Sequence, residues 1–307
     1  ILDEANLTFL PKSIKNPVEV ENERIAHIKD GVAITKFICW LKKNVGKIPI
    51  TELSAGEKLY SFRAQQENFI DNSFDPIISY GIHAAINHYS ATPETDIAIE
   101  PGNFLLADTG GHYYEGTTDT TRTIVMGSVN DEQKKYFTAV LRGMLNLGNA
   151  KFRYGCTGVN LDYLARGPLW EMGQDFNHGT GHGVGYLLNV HEGPNSFRWR
   201  IIQGDNAVLE EGMITSDEPG YYVENQYGIR HENLLVCKKA EKTSFGQFMC
   251  FEHLTMVPFD LDAVVPELMT VQERALLNNY HAQVYKKISP YLEEEEKEWL
   301  KEATREI

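Results

Sequence analysis

The spacing of apolar and polar positions changes period along this chain, and each change marks a predicted element. Across residues 20–45 the apolar positions Ile25, Ile28, Val32, Phe37, Trp40 and Leu41 fall near one stripe at helical spacing, and Gly46 closes the run. Ser54, followed three positions later by Glu57, reads as the capping box of a second helix from Ala55 to about Ile70. Short extended runs follow. Residues 77–80 read as a strand, and 104–107 as another that ends on Asp108. A return strand is expected at 117–125, with the hairpin turning near Tyr113 and Tyr114. Helical periodicity returns at 131–152 and, more briefly, at 161–172. A second hairpin is expected from strands at 213–218 and 229–236, turning at Glu224, Asn225 and Gln226 with Gly228. A strand near 247–255 and two helices at 272–288 and 293–305 complete the chain. The order helix, helix, hairpin occurs twice. It predicts an α+β protein of two pseudo-equivalent halves around a shared sheet.

The two hairpins place acids where they face one another. Asp108 comes opposite Asp119 in the first, and Glu218 opposite Glu232 in the second. Directly opposed side chains lie about 4.5–5.5 Å apart at Cβ, so each pair repels unless a cation lies between its members. His182 stands between the pairs in sequence. The five candidate metal ligands Asp108, Asp119, His182, Glu218 and Glu232 form an oxygen-rich set without a thiolate. Such a set suits Mn²⁺, and tolerates Co²⁺, Fe²⁺ or Zn²⁺, better than it suits structural zinc. Five ligands exceed one tetrahedral ion and fit two ions about 3.5–4 Å apart that share carboxylates, which implies metal-assisted hydrolysis. Residues 178–191 hold His178, His182 and His191 among Gly179, Gly181, Gly183 and Gly185. No helix pattern or basic residue follows this string as a phosphate loop requires. The glycines read instead as letting the backbone approach a substrate closely. Tyr186, Tyr221 and Tyr222 are candidates for an apolar pocket wall, although each alone is better read as core packing.

These segments, LLADTGGHYYEGTTDTTRT, HGTGHGVGYLLNVHEGP and SDEPGYYVENQYGIRHEN, resemble those of the pita-bread metallopeptidases, most closely the aminopeptidase P (Xaa-Pro aminopeptidase) branch. The resemblance runs from about Glu19 through the C-terminal helices. It implies a pita-bread fold, with two pseudo-symmetric halves around a curved, mostly antiparallel sheet with helices outside. It also implies that Asp108 holds one metal ion, Asp119 and Glu232 bridge, and His182 with Glu218 holds the other. Glu218 matches the acid that takes a proton from the bridging water. His88, in AAINHY, matches the histidine near the scissile carbonyl. His178 and His191 match the pair that holds the proline residue and the tetrahedral intermediate, and Arg230 matches the substrate-side arginine of GIRHEN. His231 departs from the family, whose members carry an apolar residue there. The activity implied is hydrolysis of the N-terminal Xaa-Pro bond of a peptide by a hydroxide bridging two metal ions. Prolidases share the ligands but read differently around the later histidines. Methionine aminopeptidases are shorter and lack EPGYY, and non-catalytic relatives lack the full ligand set.

Composition narrows the setting. With 307 residues the chain can bury a full core, and it is expected to form a single catalytic domain over 1–307 with a C-terminal helical extension from about 261. A formal net charge of −14 argues against nucleic-acid or anionic-membrane partners. Cys39, Cys156, Cys237 and Cys250 are scattered without a CxxC, as reduced thiols in a cytoplasmic protein would be. No apolar run approaches membrane length, and the first residues carry no basic signal-peptide region. The chain begins with Ile, and by resemblance further N-terminal domains are expected to precede this region. A homodimer is expected on the same ground.

Overall fold

Helix starts in this chain are set by side chains that satisfy the first free N–H groups. In the computed structural model, which describes residues 6–307, a short α1 (Phe9–Ser13) precedes the long α2 (Pro17–Asn44). Asn16 caps α2, Glu19 completes the box, and Pro17 fills the first turn where no donor is needed. Helix α3 (Glu52–Arg63) begins earlier than the sequence pattern suggests. Thr51 is its cap, and Ser54 is the reciprocal partner three residues on, so Ser54 is not the cap. The helix also stops at Arg63, well short of Ile70, because the chain turns through a left-handed Asn68 (φ 64°) into an extended segment at Phe69.

The first half of the sheet is built by β1 (Phe69–Asn72), β2 (Ile77–Tyr80), β3 (Asn103–Thr109), β4 (Gly111–Tyr113), β5 (Gly116–Thr117) and β6 (Thr120–Met126). Strand β3 lies between β2 and β6, all antiparallel. The expected register is corrected here. Asp108 pairs with Thr121, not Asp119, because the hairpin turns one residue later than expected, with His112 opposite Thr117 and Tyr113 opposite Gly116. Asp119 is therefore the diagonal neighbour of Asp108 on the same face.

The second half repeats the plan. Helices α4 (Asp131–Gly148) and α5 (Tyr163–Trp170) come first, with β7 (Lys151–Arg153) between them. The predicted helix to 152 ends early because Phe152 and its neighbours pair with a later strand. Then come β8 (Gly181–His182), β9 (Ser196–Phe197), β10 (Ile214–Asp217), β11 (Gly220–Val223), β12 (Tyr227–Arg230), β13 (Asn233–Thr243) and β14 (Gly246–His253). Here the expected register holds. Ile214 faces Val236 and Asp217 faces Asn233, which carries Glu218 opposite Glu232. The halves join where Glu232 N–H donates to the Thr121 carbonyl at 3.1 Å. Thr123 Oγ1 adds to the join, accepting from Arg230 N–H and donating to the Arg230 carbonyl.

Two apolar layers cover the strands. Phe37, Leu41 and Leu59 of α2 and α3 pack on Leu105 and Ile124. Phe137 and Val140 of α4, with Leu277 and Val284 of α6 (Val271–Ile288), pack on Phe104 and Ile229. Helix α7 (Glu294–Ala303) closes the chain. No helix among the described residues is long and apolar enough to cross a membrane. The four cysteines are unpaired.

Helix α2 also carries a buried acid. Glu23 is fully enclosed and accepts from Thr117 N–H at 3.1 Å. Burial pushes its carboxyl up to about 8. Its folded value thus lies above the unfolded one, so the folded chain holds the extra proton. Stability associated with this group is present below about pH 4.5 and is lost as pH rises toward 8. Glu23→Gln keeps the acceptor and removes the titration. Thermal melts from pH 5 to 9 are expected to show the variant gaining on the parent as pH rises, with the largest advantage above pH 8. Buried His27, pushed down to about 4, acts in the opposite sense below pH 6.5 in both proteins.

Candidate metal centre

Each acid reaches the site from the end of a strand. Asp108 lies near the end of β3, Asp119 just ahead of β6, Glu218 just past β10 and Glu232 just ahead of β13. His182 comes from β8, which is tied to β10 through His182 N–H donating to Ser216 Oγ at 2.9 Å. The donor atoms of Asp108, Asp119 and Glu232 all lie within 4.8 Å of one another, as do those of His182, Glu218 and Glu232. The two groups share Glu232. His182 Nε2 stands 3.5 Å from both Asp119 Oδ2 and Glu218 Oε1. Its Nδ1 faces the Gly183 carbonyl at 2.9 Å. That contact places the ring proton on Nδ1 and leaves the Nε2 lone pair toward the acids.

Local hydrogen bonds orient the carboxylates. Thr121 Oγ1 donates to Glu232 Oε2 at 2.8 Å, and Ser216 Oγ to Glu218 Oε1 at 3.1 Å. Arg230 Nη2 meets Asp108 Oδ2 at 2.5 Å, and its Nε lies 4.0 Å from Glu218 Oε2. One guanidinium does not balance four acids. Asp119 Oδ1 is buried with no hydrogen-bond partner. Burial first, and then repulsion from Asp108 and Glu218, push the Asp119 carboxyl well above its ordinary range. Burial raises Glu218 and, together with Asp119, Glu232 as well. Divalent cations would cancel this repulsion and fill the orphaned acceptor, so the donor set fits two such ions.

All nine sequence-predicted site residues line one cavity of about 540 Å³. His178 is half-buried, with Nδ1 against the Gly179 carbonyl at 2.7 Å and Nε2 against Tyr222 Oη at 2.9 Å. Arg230 Nη1 donates to the same phenol at 2.7 Å, so the phenol proton goes to His178 Nε2. Burial, and then the Arg230 charge, push His178 down to about 3. His191 is exposed and stands edge-on to His182, with ring centroids 4.2 Å apart. One of its nitrogens falls within the ligand-atom cluster of Asp119 and His182, closer to the acids than a purely substrate-side role requires. Burial, then the His182 charge, bring it down to about 4. His88 is exposed at the cavity wall.

The sequence reading missed Phe74, Ile77, Asn87, Asn177 and Arg198, which also line the cavity. Asn87, beside His88, and Asn177, beside His178, carried a positional hint. The glycines of the histidine segment are needed by the protein's own packing. A Cβ at Gly181 would fall 1.8 Å from the Ser216 carbonyl, and one at Gly183 would fall 2.2 Å from the Glu192 carbonyl. Gly179 and Gly181 also line the cavity. Of the three tyrosines only Tyr222 reaches the site. Tyr221 stacks on Tyr136 at 4.0 Å in the core, and Tyr186 Oη accepts from Asn22.

His231 is fully buried between Phe137 and Phe259, and neither ring nitrogen has a partner. Burial pushes it down to about 3, so it sits there neutral. An orphaned buried polar group costs about 1–3 kcal/mol. His231→Leu is therefore expected to raise the melting temperature by roughly 2–6 °C in scanning calorimetry.

A donor set of this kind could hold two hard cations, and it is set in an antiparallel α+β frame. The chain matches the model of metallopeptidase family M24 over residues 21–239, and the model of the C-terminal region of that family over 247–307. It belongs to metallopeptidase family M24, and its fold is the pita-bread fold of its structural neighbours. It is 43% identical over 303 residues to a probable Xaa-Pro aminopeptidase P of Paracoccidioides brasiliensis, covering 96% of this chain and 49% of that one. A counterpart in Arthroderma otae is 44% identical, covering 96% of this chain and 48% of the relative. A solved X-prolyl aminopeptidase of Caenorhabditis elegans, described as a cytosolic enzyme with a di-nuclear active site, superposes with a TM-score of 0.93 at 37% identity. That match covers 99% of this chain and 50% of the other. The prolidase of Pyrococcus furiosus is more distant, with a TM-score of 0.65 at 28% identity over 81% of this chain and 67% of the other. The chain spans about half the length of the curated relatives it matches.

Proposed function

We propose that this chain removes the N-terminal residue from peptides with proline in second place, using two divalent cations held by Asp108, Asp119, His182, Glu218 and Glu232. The observation that carries this reading is the convergence of four carboxylates, three of them buried, and His182 Nε2 in one cavity with His88, His178, His191 and Arg230. The resemblance to proteins named Xaa-Pro aminopeptidase P supports the substrate class. In this reading Asp108 would hold one ion, Asp119 and Glu232 would serve both, and His182 with Glu218 would hold the second. Bound there, the ions would polarise the scissile carbonyl and acidify a water molecule.

The chain's own residues do the rest. Glu218, oriented by Ser216 and raised by burial, accepts the proton of the attacking water. Arg230 stays charged beside Asp108 and fixes Tyr222, whose hydroxyl in turn holds His178 against the cavity wall. His178 has both nitrogens engaged, so it contributes a neutral ring face where the proline ring would lie. His88 and His191, exposed at the cavity, are placed to pass a proton to the proline nitrogen as the bond breaks. That nitrogen has no N–H for a backbone-reading protease to grip, which is why the site holds the peptide through its carbonyl and ring.

Manganese is the ion the oxygen-rich, thiolate-free set favours. A cytoplasmic location and a homodimer belong to the same reading; the first is supported by the cytosolic description of the nematode relative. Residues up to 307 act as one catalytic domain in this reading, since Tyr280 of α6 donates to the Thr255 and Val257 carbonyls behind the site.

Mn²⁺-loaded protein should release the first residue from an Xaa-Pro-Yaa tripeptide, and Asp119→Ala should not. Cleavage of an Xaa-Pro dipeptide alone would make it a prolidase. Cleavage of neither by protein that binds no metal would make it a binding module.

A further inference from the structure

The two aspartates of the centre have no direct hold on each other, yet the residues beside them share one. Thr109 follows Asp108 and Thr118 precedes Asp119. Both threonines are enclosed, and both hydroxyls end on the same ion pair, formed by Asp30 of α2 and Arg63 of α3. Arg63 Nε donates to Asp30 Oδ1 at 2.7 Å, and its Nη2 donates to Thr109 Oγ1 at 3.0 Å. Thr118 Oγ1 donates to Asp30 Oδ2 at 2.9 Å, and Tyr113 Oη donates to Oδ1 at 3.0 Å. Thr118 Oγ1 also accepts from Gly111 N–H at 2.9 Å. Asp30 and Arg63 are each 1% exposed, so no water competes for these contacts. The charge of Arg63 also acts on Asp119 across the network.

An ion pair this deeply buried is a poor source of net stability, because desolvation offsets its attraction. Its value lies in fixed geometry. Arg63 offers a rigid fork of donors, and Asp30 offers two acceptors in one plane. Between them they set how far Thr109 stands from Thr118, and so how far Asp108 stands from Asp119. Groups that orient ligands from behind in this way typically change metal affinity by about 10–100-fold when removed.

We propose that the Asp30–Arg63 pair, acting through the hydroxyls of Thr109 and Thr118, is the positioning device that sets the spacing of Asp108 and Asp119 for the ion they share. The inference rests on the metal-centre reading above and extends it to residues on two helices that never touch the cavity. The device predicts that hydroxyls, not bulk, matter at these two positions. Valine has the shape of threonine without its hydroxyl, and serine has the hydroxyl without the methyl.

The test is calorimetric titration of Mn²⁺ into metal-free protein, with the metal-free melting temperature measured alongside. Thr109→Val, acting on Asp108, is expected to weaken one of the two ions about 10–100-fold while leaving the other near its parent affinity, and Thr118→Val, acting on Asp119, is expected to weaken that ion by as much and the other as well. Thr118→Ser is expected to restore the weakened binding. Arg63→Lys, which keeps the charge but cannot hold Asp30 and Thr109 together, is expected to behave like the valine variants. If one valine variant does not fold, the other carries the same test. Both valine variants binding two ions as the parent does would overturn the proposal, as would a lowered melting temperature with unchanged affinities. A parent that binds no Mn²⁺ would overturn the metal-centre reading, and the proposal with it.

Discussion

Asp119→Asn is expected to abolish peptide cleavage, by at least about 10³-fold, the scale on which deleting one member of a catalytic unit acts. The same change should not weaken the metal-free fold. Asp119 is 3% exposed and carries one carboxylate oxygen with no partner. Burial and neighbouring acids raise its carboxyl well above the usual range. An amide of the same size removes that repulsion and leaves the backbone supported by Thr118 and Thr120. Metal-free Asp119→Asn should therefore melt at or above the parent temperature while losing Mn²⁺ in calorimetry. Stability and function moving in opposite directions marks a group kept for binding and not for folding. A variant that unfolds early in metal-free form would assign Asp119 a structural role instead.

Arg122→Met is expected to have the largest effect on stability. Arg122 is enclosed behind the site on β6 and stacks on Phe259, its guanidinium carbon 4.0 Å from the ring centre. It donates to the Thr121 carbonyl at 2.9 Å, the Glu232 carbonyl at 2.5 Å, Asn233 Oδ1 at 2.7 Å, the Val257 carbonyl at 2.8 Å and Tyr280 Oη at 3.0 Å. Methionine fills similar length and satisfies none of these acceptors. Breaking a buried charged network from one side costs about 3–5 kcal/mol, which corresponds to a melting temperature lower by roughly 5–15 °C. Because Arg122 ties Thr121 of the first half to Glu232 of the second, a milder second effect is expected on Mn²⁺ affinity. A melting temperature unchanged from the parent would show that the two halves are held together elsewhere.

How far the sequence foretold this arrangement differs from one element to the next. The second hairpin was readable to the residue, because Asn225 adopts a left-handed conformation (φ 57°) at the turn and the flanking alternation fixes Glu218 against Glu232. The first was readable only to its diagonal. Nothing local says that the chain turns at Tyr114 and Glu115 instead of one residue earlier. The order and type of the long helices followed from periodicity, but the start of α3 did not, since Thr51 and Ser54 cap reciprocally and either looks like a cap in text. The five ligand candidates came from spacing and the roles of His88, His178, His191 and Arg230 from the family resemblance, and the cavity gathers all nine. Of its apolar members, Phe74 lies in a loop and Ile77 opens the strand at 77–80, and nothing in the text marks either as facing the cavity. The packing role of these glycines could not be read, because a contact such as that of Gly181 with the Ser216 carbonyl forms only on folding. The Asp30–Arg63 pair was hidden for the same reason. Each residue looks like an ordinary polar position of an amphipathic helix until tertiary packing encloses it.

The account stands most directly on the number of metal ions the chain binds. Calorimetric titration of metal-free protein with Mn²⁺ should show two ions per chain, with Asp119→Asn losing that capacity. One ion, or none, in the parent protein would contradict it.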